Sequence, residues 1–150
     1  MRNKILITLM IFVAFSKIYA QDQKIVDSLE VIYSSGKLKE QEKLNILNKL
    51  AEISLDPEKK ISFSEELIQT VQSLDSLYYL FTGFLQKGKG IRDLGDYKKA
   101  RVNYFKAAKI AIEKKSNRDL GLINITIADV YSEMGNHNNA IHYYQKAIAI

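Results

Sequence analysis

The stretch GFLQKGKG, Gly83 to Gly90, spells G-x-x-x-x-G-K-G and falls one residue short of the phosphate-cradling loop G-x-x-x-x-G-K-[ST]. In such a loop the backbone amides hold phosphate oxygens, the lysine reaches the terminal phosphates and a final hydroxyl holds magnesium. Here Gly90 stands where the hydroxyl belongs. The loop also requires a strand before Gly83 and a helix starting at Lys89. LYYLFT, Leu77 to Thr82, has the composition of a strand in isolation, but the matching segments 40 residues to either side are helical by pattern. The two readings predict opposite responses to Gly88→Ala. Inside a helix the change is neutral or stabilising by up to ~1 kcal/mol, whereas in a phosphate loop the added methyl blocks the approach of the backbone to the ligand. The helical reading is the one the sequence favours, and Gly83 and Gly90 then make this helix the softest of the array.

His137 and His142 are the two histidines of the chain, five apart, one at a turn and one on the helix after it. Metal ligands sharing a helix face want spacings of three or four, and neither a cysteine nor a third histidine accompanies them, so they read as solvated surface residues and no metal is expected. A serine or threonine nucleophile would have to borrow one of these two as its base, and no strained nucleophile turn is marked. The carboxylate pairs Glu65 with Glu66 and Glu40 with Glu42 lie among lysines on polar helix faces and need no acid/base role. KLKEQEK, Lys37 to Lys43, is likewise a solvated face. No catalytic residue and no cofactor is expected, which leaves a small hydrolase with an unmarked site as the weakest functional class.

The elements that carry these residues are helical. Apolar residues recur at three- and four-residue steps, as in Leu44, Leu47 and Ala51, then Ile61, Leu67, Val71 and Leu74. Breaks fall at Ser34 to Lys37, Leu55 to Pro57, Leu94 to Asp96, Ser116 to Asp119 and Met134 to Asn136. The fold class this predicts is all-α, in antiparallel helix hairpins. At 150 residues and 47% hydrophobic, the chain has enough apolar content for a core without metal or disulfide staples. It has no cysteine, so no disulfide contributes.

The first twenty residues stand apart from this pattern. Arg2 and Lys4 precede an apolar run from Ile5 to Phe15, and the segment ends in Ala20 ahead of polar QDQK. This is the order of a secretory signal peptide cut after Ala20, and the run is shorter than the roughly 20 residues that span a bilayer. An exported, periplasmic or secreted protein is therefore expected. Removing Arg2, Lys4 and Lys17 lowers the net charge from +5 to +2, a weak footprint for phosphate backbones, and nucleic-acid binding is not expected.

Sliding the chain against itself by 40 residues superposes Asp56, Asp96 and Asn136, and likewise Leu67, Ala107 and Ala147. The two later copies place Ala100 four residues before Tyr104 and Ala140 four before Tyr144, with Ala107 and Ala147 three residues further on. These small residues let paired helices lie close while the tyrosine fills the space between turns. Here the sequence resembles the tetratricopeptide repeat, whose second helix carries A-x-x-x-[FY] and then another alanine. Phe84 and Gly88, and in the next copy Ile127, Ala128 and Tyr131, sit at the marked positions of its first helix. Lys87 stands where the family prefers leucine, Asn124 where it prefers an aromatic, Lys60 takes the alanine position of a degenerate first copy, and the closing proline is missing. The period exceeds the usual ~34 residues, so the second helix is expected to run on through AAKIAIEKKSN.

The resemblance implies a helical solenoid with a signal peptide over 1–20, a capping helix within 21–36 and repeats over about 37–75, 76–115 and 116–150. VDSLEVIYSSG, Val26 to Gly36, is the amphipathic cap over the open N-terminal edge. First helices line the inside of such a curve, which implies a concave face at Asn45, Lys49, Glu52, Leu85, Lys89, Arg92, Ile125, Asp129 and Ser132. Lys89 and Arg92 beside Leu85 and Ile125 suit an extended peptide with an acidic group. The expected function is a non-enzymatic adaptor for a protein or peptide partner. A second reading starts from HYYQKAIAI, which stops in mid-helix with the apolar face Ala140, Ile141, Tyr144, Ala147 and Ile148 uncovered. The order of signal peptide, short helix and degenerate repeat also resembles the exported sensor regions of bacterial signalling proteins, where membrane and output domains follow. In either reading the open C-terminal face is a candidate for self-association.

Overall fold

The computed structural model describes residues 23–71 and 76–150. The signal segment with its cut after Ala20, and Leu74 of the first repeat, lie outside the described residues. A helix over 23–34, α1, is followed by α2 (Glu40–Ile53), α3 (Pro57–Val71), α4 (Leu77–Asp93), α5 (Tyr97–Glu113), α6 (Asn117–Glu133) and α7 (His137–Ile148). From α2 onward each helix packs on the next, and α2 also touches α4, so the hairpins stack rather than form separate pairs. No helix among the described residues is long and apolar enough to cross a membrane.

The superposed turn residues open the second helix of each pair. Asp56 Oδ1 accepts from the amides of Glu58 and Lys59, Asp96 Oδ1 from that of Lys99 at 3.0 Å, and Asn136 Oδ1 from that of Asn139 at 3.3 Å. Each satisfies a donor that the helix start leaves without a partner. The helix before each of the last two turns closes on a glycine: Gly95 and Gly135 take φ of +83° and +72°. Their amides bond Arg92 O and Ser132 O, and the following amides of Asp96 and Asn136 reach back to Ile91 O and Tyr131 O, the double closure of a Schellman turn. Lys115 closes α5 in the same way at φ +52° without being a glycine. The extra length over a ~34-residue repeat is shared by both members of a pair: α5 runs to Glu113, and α4, α5 and α6 have 17 residues each.

One core cluster joins α4 to α7 and includes Phe81, Leu85, Ala100, Tyr104, Ala107 and Ile127, with Tyr131 and Ala140 among its other members. A second joins Leu44 and Leu47 of α2 to Leu67 and Val71 of α3. Ala100, Tyr104, Ala107 and Ala128 are fully buried. Tyr144, 40 residues after Tyr104, is 38% exposed. Its hydroxyl donates to Asp129 at 2.7 Å instead. Helix α1 lies against the array: Val26 is buried, Lys59 pairs with Glu30 at 2.6 Å, and the Tyr33 hydroxyl donates to Glu66.

One sequence expectation changes on this scaffold. Gly88 does lie in a helix, but a Cβ there would stand 2.6 Å from Cδ1 of the buried Tyr104. Alanine therefore meets a ring with nowhere to go, and the neutral response expected of a helix interior is overturned by packing. The other two glycines of α4 are also points of close packing. A Cβ at Gly83 would meet Ile68 Cγ1 at 2.6 Å and one at Gly90 would meet Pro57 O at 2.9 Å, so these residues let α3 press closely on α4 while Gly88 admits α5.

Lys60 accounts for the degenerate first copy. It occupies the place of Ala100 and Ala140, is only 8% exposed, and sends Nζ to the carbonyls of Ala51 and Glu52, both at 3.1 Å. Those carbonyls end α2, where a cation meets both unpaired acceptors and the negative end of the helix dipole. Burial, and after it the nearby Lys89, push the Lys60 ammonium below the usual lysine range.

Candidate functional site

The Gly83 to Gly90 stretch lies wholly inside α4, with Gly83, Gly88 and Gly90 buried. Its amides belong to the helix and form no phosphate cradle. His137 opens α7, and His142 lies edge-on to Tyr143 with ring centroids 5.5 Å apart. Among the described residues no group of three His, Cys, Asp or Glu side chains is placed to hold a metal ion. Two carboxylates knit helices together, Glu65 pairing with Lys87 at 2.8 Å and Glu66 with Lys43 at 3.1 Å, while Glu42 accepts from the Lys39 amide at 2.9 Å to cap the start of α2.

The nine residues expected on the concave face sit on α2, α4 and α6 but do not form one free surface. Leu85 is 4% exposed and belongs to the main core, so it is removed from any peptide groove. The reason is packing: Leu85 follows the apolar stripe of Phe81 into the contact between helices. Arg92 is committed as well, its Nε lying 2.9 and 3.1 Å from the two carboxylate oxygens of Glu133 while its Nη2 bonds the same group. This two-pronged pair spans α4 and α6, neutralises the charge proposed for a ligand, and raises the Arg92 guanidinium still further above its ordinary value.

Other members of the face are cross-links too. Asn45 accepts from the Tyr79 hydroxyl, tying α2 to α4, and Asp129 accepts from Tyr144, tying α6 to α7. Glu52 accepts from Asn48 at 3.2 Å. Lys49, Ile125 and Ser132 face solvent, Ile125 at 46% exposure, and Lys89 is half-buried beside Lys60. The open part of this face is thus cationic around Lys89 and Lys49 and apolar at Ile125.

A second surface escaped the sequence reading. A groove of about 470 Å³ runs between α5, α6 and α7, with Phe105, Ile112 and Tyr143 in its walls and Asn124 in its lining. The signal that pointed to it was Asn124 itself, at a position where an aromatic was expected.

Residues 123–150 match the family model of the tetratricopeptide repeat. No curated protein matches the sequence. Among solved structures, the tetratricopeptide-repeat domain of Arabidopsis FLU superposes with a TM-score of 0.69 at 21% identity, over 74% of this chain and 96% of that one. A Pyrococcus horikoshii signal transduction ATPase with numerous domains, which has a tetratricopeptide repeat sensor, superposes with a TM-score of 0.72 at 22% identity over 85% of this chain. This chain spans only 20% of that protein. At these identities the likeness is one of fold, and it agrees with the matched segment: the chain carries a tetratricopeptide repeat over residues 123–150 and has the fold of tetratricopeptide-repeat domains.

Proposed function

We propose that this chain is an exported, non-enzymatic interaction module that recognises a protein or peptide partner through the faces of its stacked helices. The observation that carries the reading is the partition of its polar groups. Charged residues such as Arg92, Glu133, Lys60, Glu66 and Lys43 cross-link neighbouring helices, while Lys49, Lys89 and Ile125 remain available on the first-helix face. A rigid scaffold with a cationic and apolar patch suits an acidic, partly apolar peptide. The test is Lys89→Glu combined with Ile125→Asp. Partners recovered by cross-linking with the native chain are lost to this variant while circular dichroism shows its helices intact. Unchanged recovery refutes the face assignment.

A second reading is favoured by the likeness to the repeat sensor of the Pyrococcus ATPase: these repeats are the sensing part of a longer signalling protein. An immunoblot of fractionated cells separates the two. A soluble exported band at or just below the mass of this chain supports the adaptor, and a much larger band in the membrane fraction supports the sensor.

A further inference from the structure

Phe84 and Asn124 are 40 residues apart and occupy the same place in successive repeats. In the earlier repeat the Phe84 ring packs on the core, and Lys106 lies over it with Nζ 5.3 Å from the ring centroid. In the later repeat Lys146 holds the place of Lys106, but Asn124 replaces the Phe84 ring and Lys146 lies instead over Tyr143, with Nζ 4.9 Å from its centroid. The space around Asn124 is the groove of about 470 Å³, within the roughly 300–1,000 Å³ of clefts that take compact ligands.

Its walls have changed to match. Glu65 and Asn103 of the earlier repeat correspond to Phe105 and Tyr143, which face each other with ring centroids 6.0 Å apart. Asn124 is 6% exposed and lines the groove, yet its side chain makes no hydrogen bond among the described residues. Its amide atoms open on the groove, where an incoming polar group can pair with them. Lys109 and Lys146 complete the lining, which contains no acidic residue.

We propose that this groove binds an aromatic side chain carried on an acidic segment of a partner protein. The ring enters where the repeat lacks its own, a polar group of the ring or its backbone pairs with the Asn124 amide, and flanking carboxylates meet Lys109 and Lys146. An aromatic anchor in an apolar slot with a charged rim is the arrangement that concentrates binding energy in a few contacts. The site lies on a different side of α6 from the Ile125 patch and stands or falls independently of it.

The chain has no tryptophan, so the fluorescence of a peptide's indole reports the peptide alone. With the probe acetyl-Glu-Asp-Trp-Glu-Asp-amide, the native chain gives a saturable blue shift, and Lys-Lys-Trp-Lys-Lys gives none. Asn124→Phe, which fills the slot from within, weakens binding by about 10-fold or more, the loss expected when an aromatic anchor is shut out. Lys109→Glu with Lys146→Glu, both at the surface, abolishes the preference for the acidic peptide without touching the core, and tests the site even if Asn124→Phe fails to fold. Lys98→Glu, exposed at the far end of α5 from Lys109, leaves the binding unchanged. Absence of a blue shift, equal binding by Asn124→Phe, or equal binding of the basic peptide overturns the proposal. So does sedimentation showing self-association that Asn124→Phe releases, which would assign the groove to a second copy.

Discussion

Gly88→Ala isolates the contact that seats α5 on α4. The added Cβ would stand 2.6 Å from Tyr104 Cδ1 and 3.1 Å from Cζ, distances at which something must move. Tyr104 is fully buried, and its hydroxyl has no hydrogen-bond partner among the described residues, so the ring has no solvent-facing end to swing aside. Forcing an extra methyl into such a core costs typically 1–3 kcal/mol, against which alanine returns up to ~1 kcal/mol of helix propensity. The net expectation is a loss of about 1–2 kcal/mol, read as a lower urea midpoint by far-ultraviolet circular dichroism. Gly121→Ala is the internal control. It adds the same methyl to helix α6, where nothing lies within 4 Å, and is expected to raise stability by about 0.5–1 kcal/mol and with it the midpoint. Tyr104→Leu in the Gly88→Ala background removes the clash, so the double variant is less destabilised than the sum of the singles by at least ~0.5 kcal/mol. If Gly88→Ala matches Gly121→Ala in raising stability, the close approach of Tyr104 to Gly88 is wrong, and with it the argument for how the repeats nest.

Two further outcomes follow from buried charge. Lys60→Met keeps the stem and removes the ammonium, leaving the Ala51 and Glu52 carbonyls unpaired; relief of desolvation offsets part of the loss, and a net cost of about 1–3 kcal/mol is expected at neutral pH. Because the folded ammonium sits below the ordinary lysine value of 10.5, the unfolded chain holds the proton more tightly. Native stability relative to Lys60→Met therefore rises with pH between the lowered value and 10.5, and a flat difference in pH-dependent denaturation argues against the buried position. Asp119 pairs with Lys114 at 2.5 Å; burial raises its carboxyl, but the contacts with Lys114 and Ser116 outweigh it and hold the group below the usual carboxylate range. The sign is opposite to that of Lys60: Asp119→Asn costs about 1 kcal/mol above pH ~4, and the gap to the native chain closes as pH falls through the depressed value. A gap that persists in acid would show that the pair contributes shape rather than charge.

The helices and their joints were legible because the interactions that make them are local. Asp56, Asp96 and Asn136 each bond an amide two or three residues ahead, and Gly95 and Gly135 close turns whose bonds span five residues or fewer, so a 40-residue repeat in the sequence becomes a repeat of caps in the structure. Lys60 stands out in the sequence as a departure from the alanine pattern, yet its role depends on α2, because its acceptors lie on that neighbouring helix. The concave face was the least legible part. Helical phase placed Leu85 and Arg92 on it, but burial took the first and Glu133, 41 residues away, took the second.

By itself the sequence determined an array of antiparallel helices, the places where they turn and the repeat that relates them, since periodicity and capping act within a few residues. Only the tertiary structure decided that Gly88 has no room for a methyl, that Arg92 is already paired, and that Asn124 leaves a groove. Each of these is set by the distance between side chains on different helices, and that distance appears only once the helices have packed.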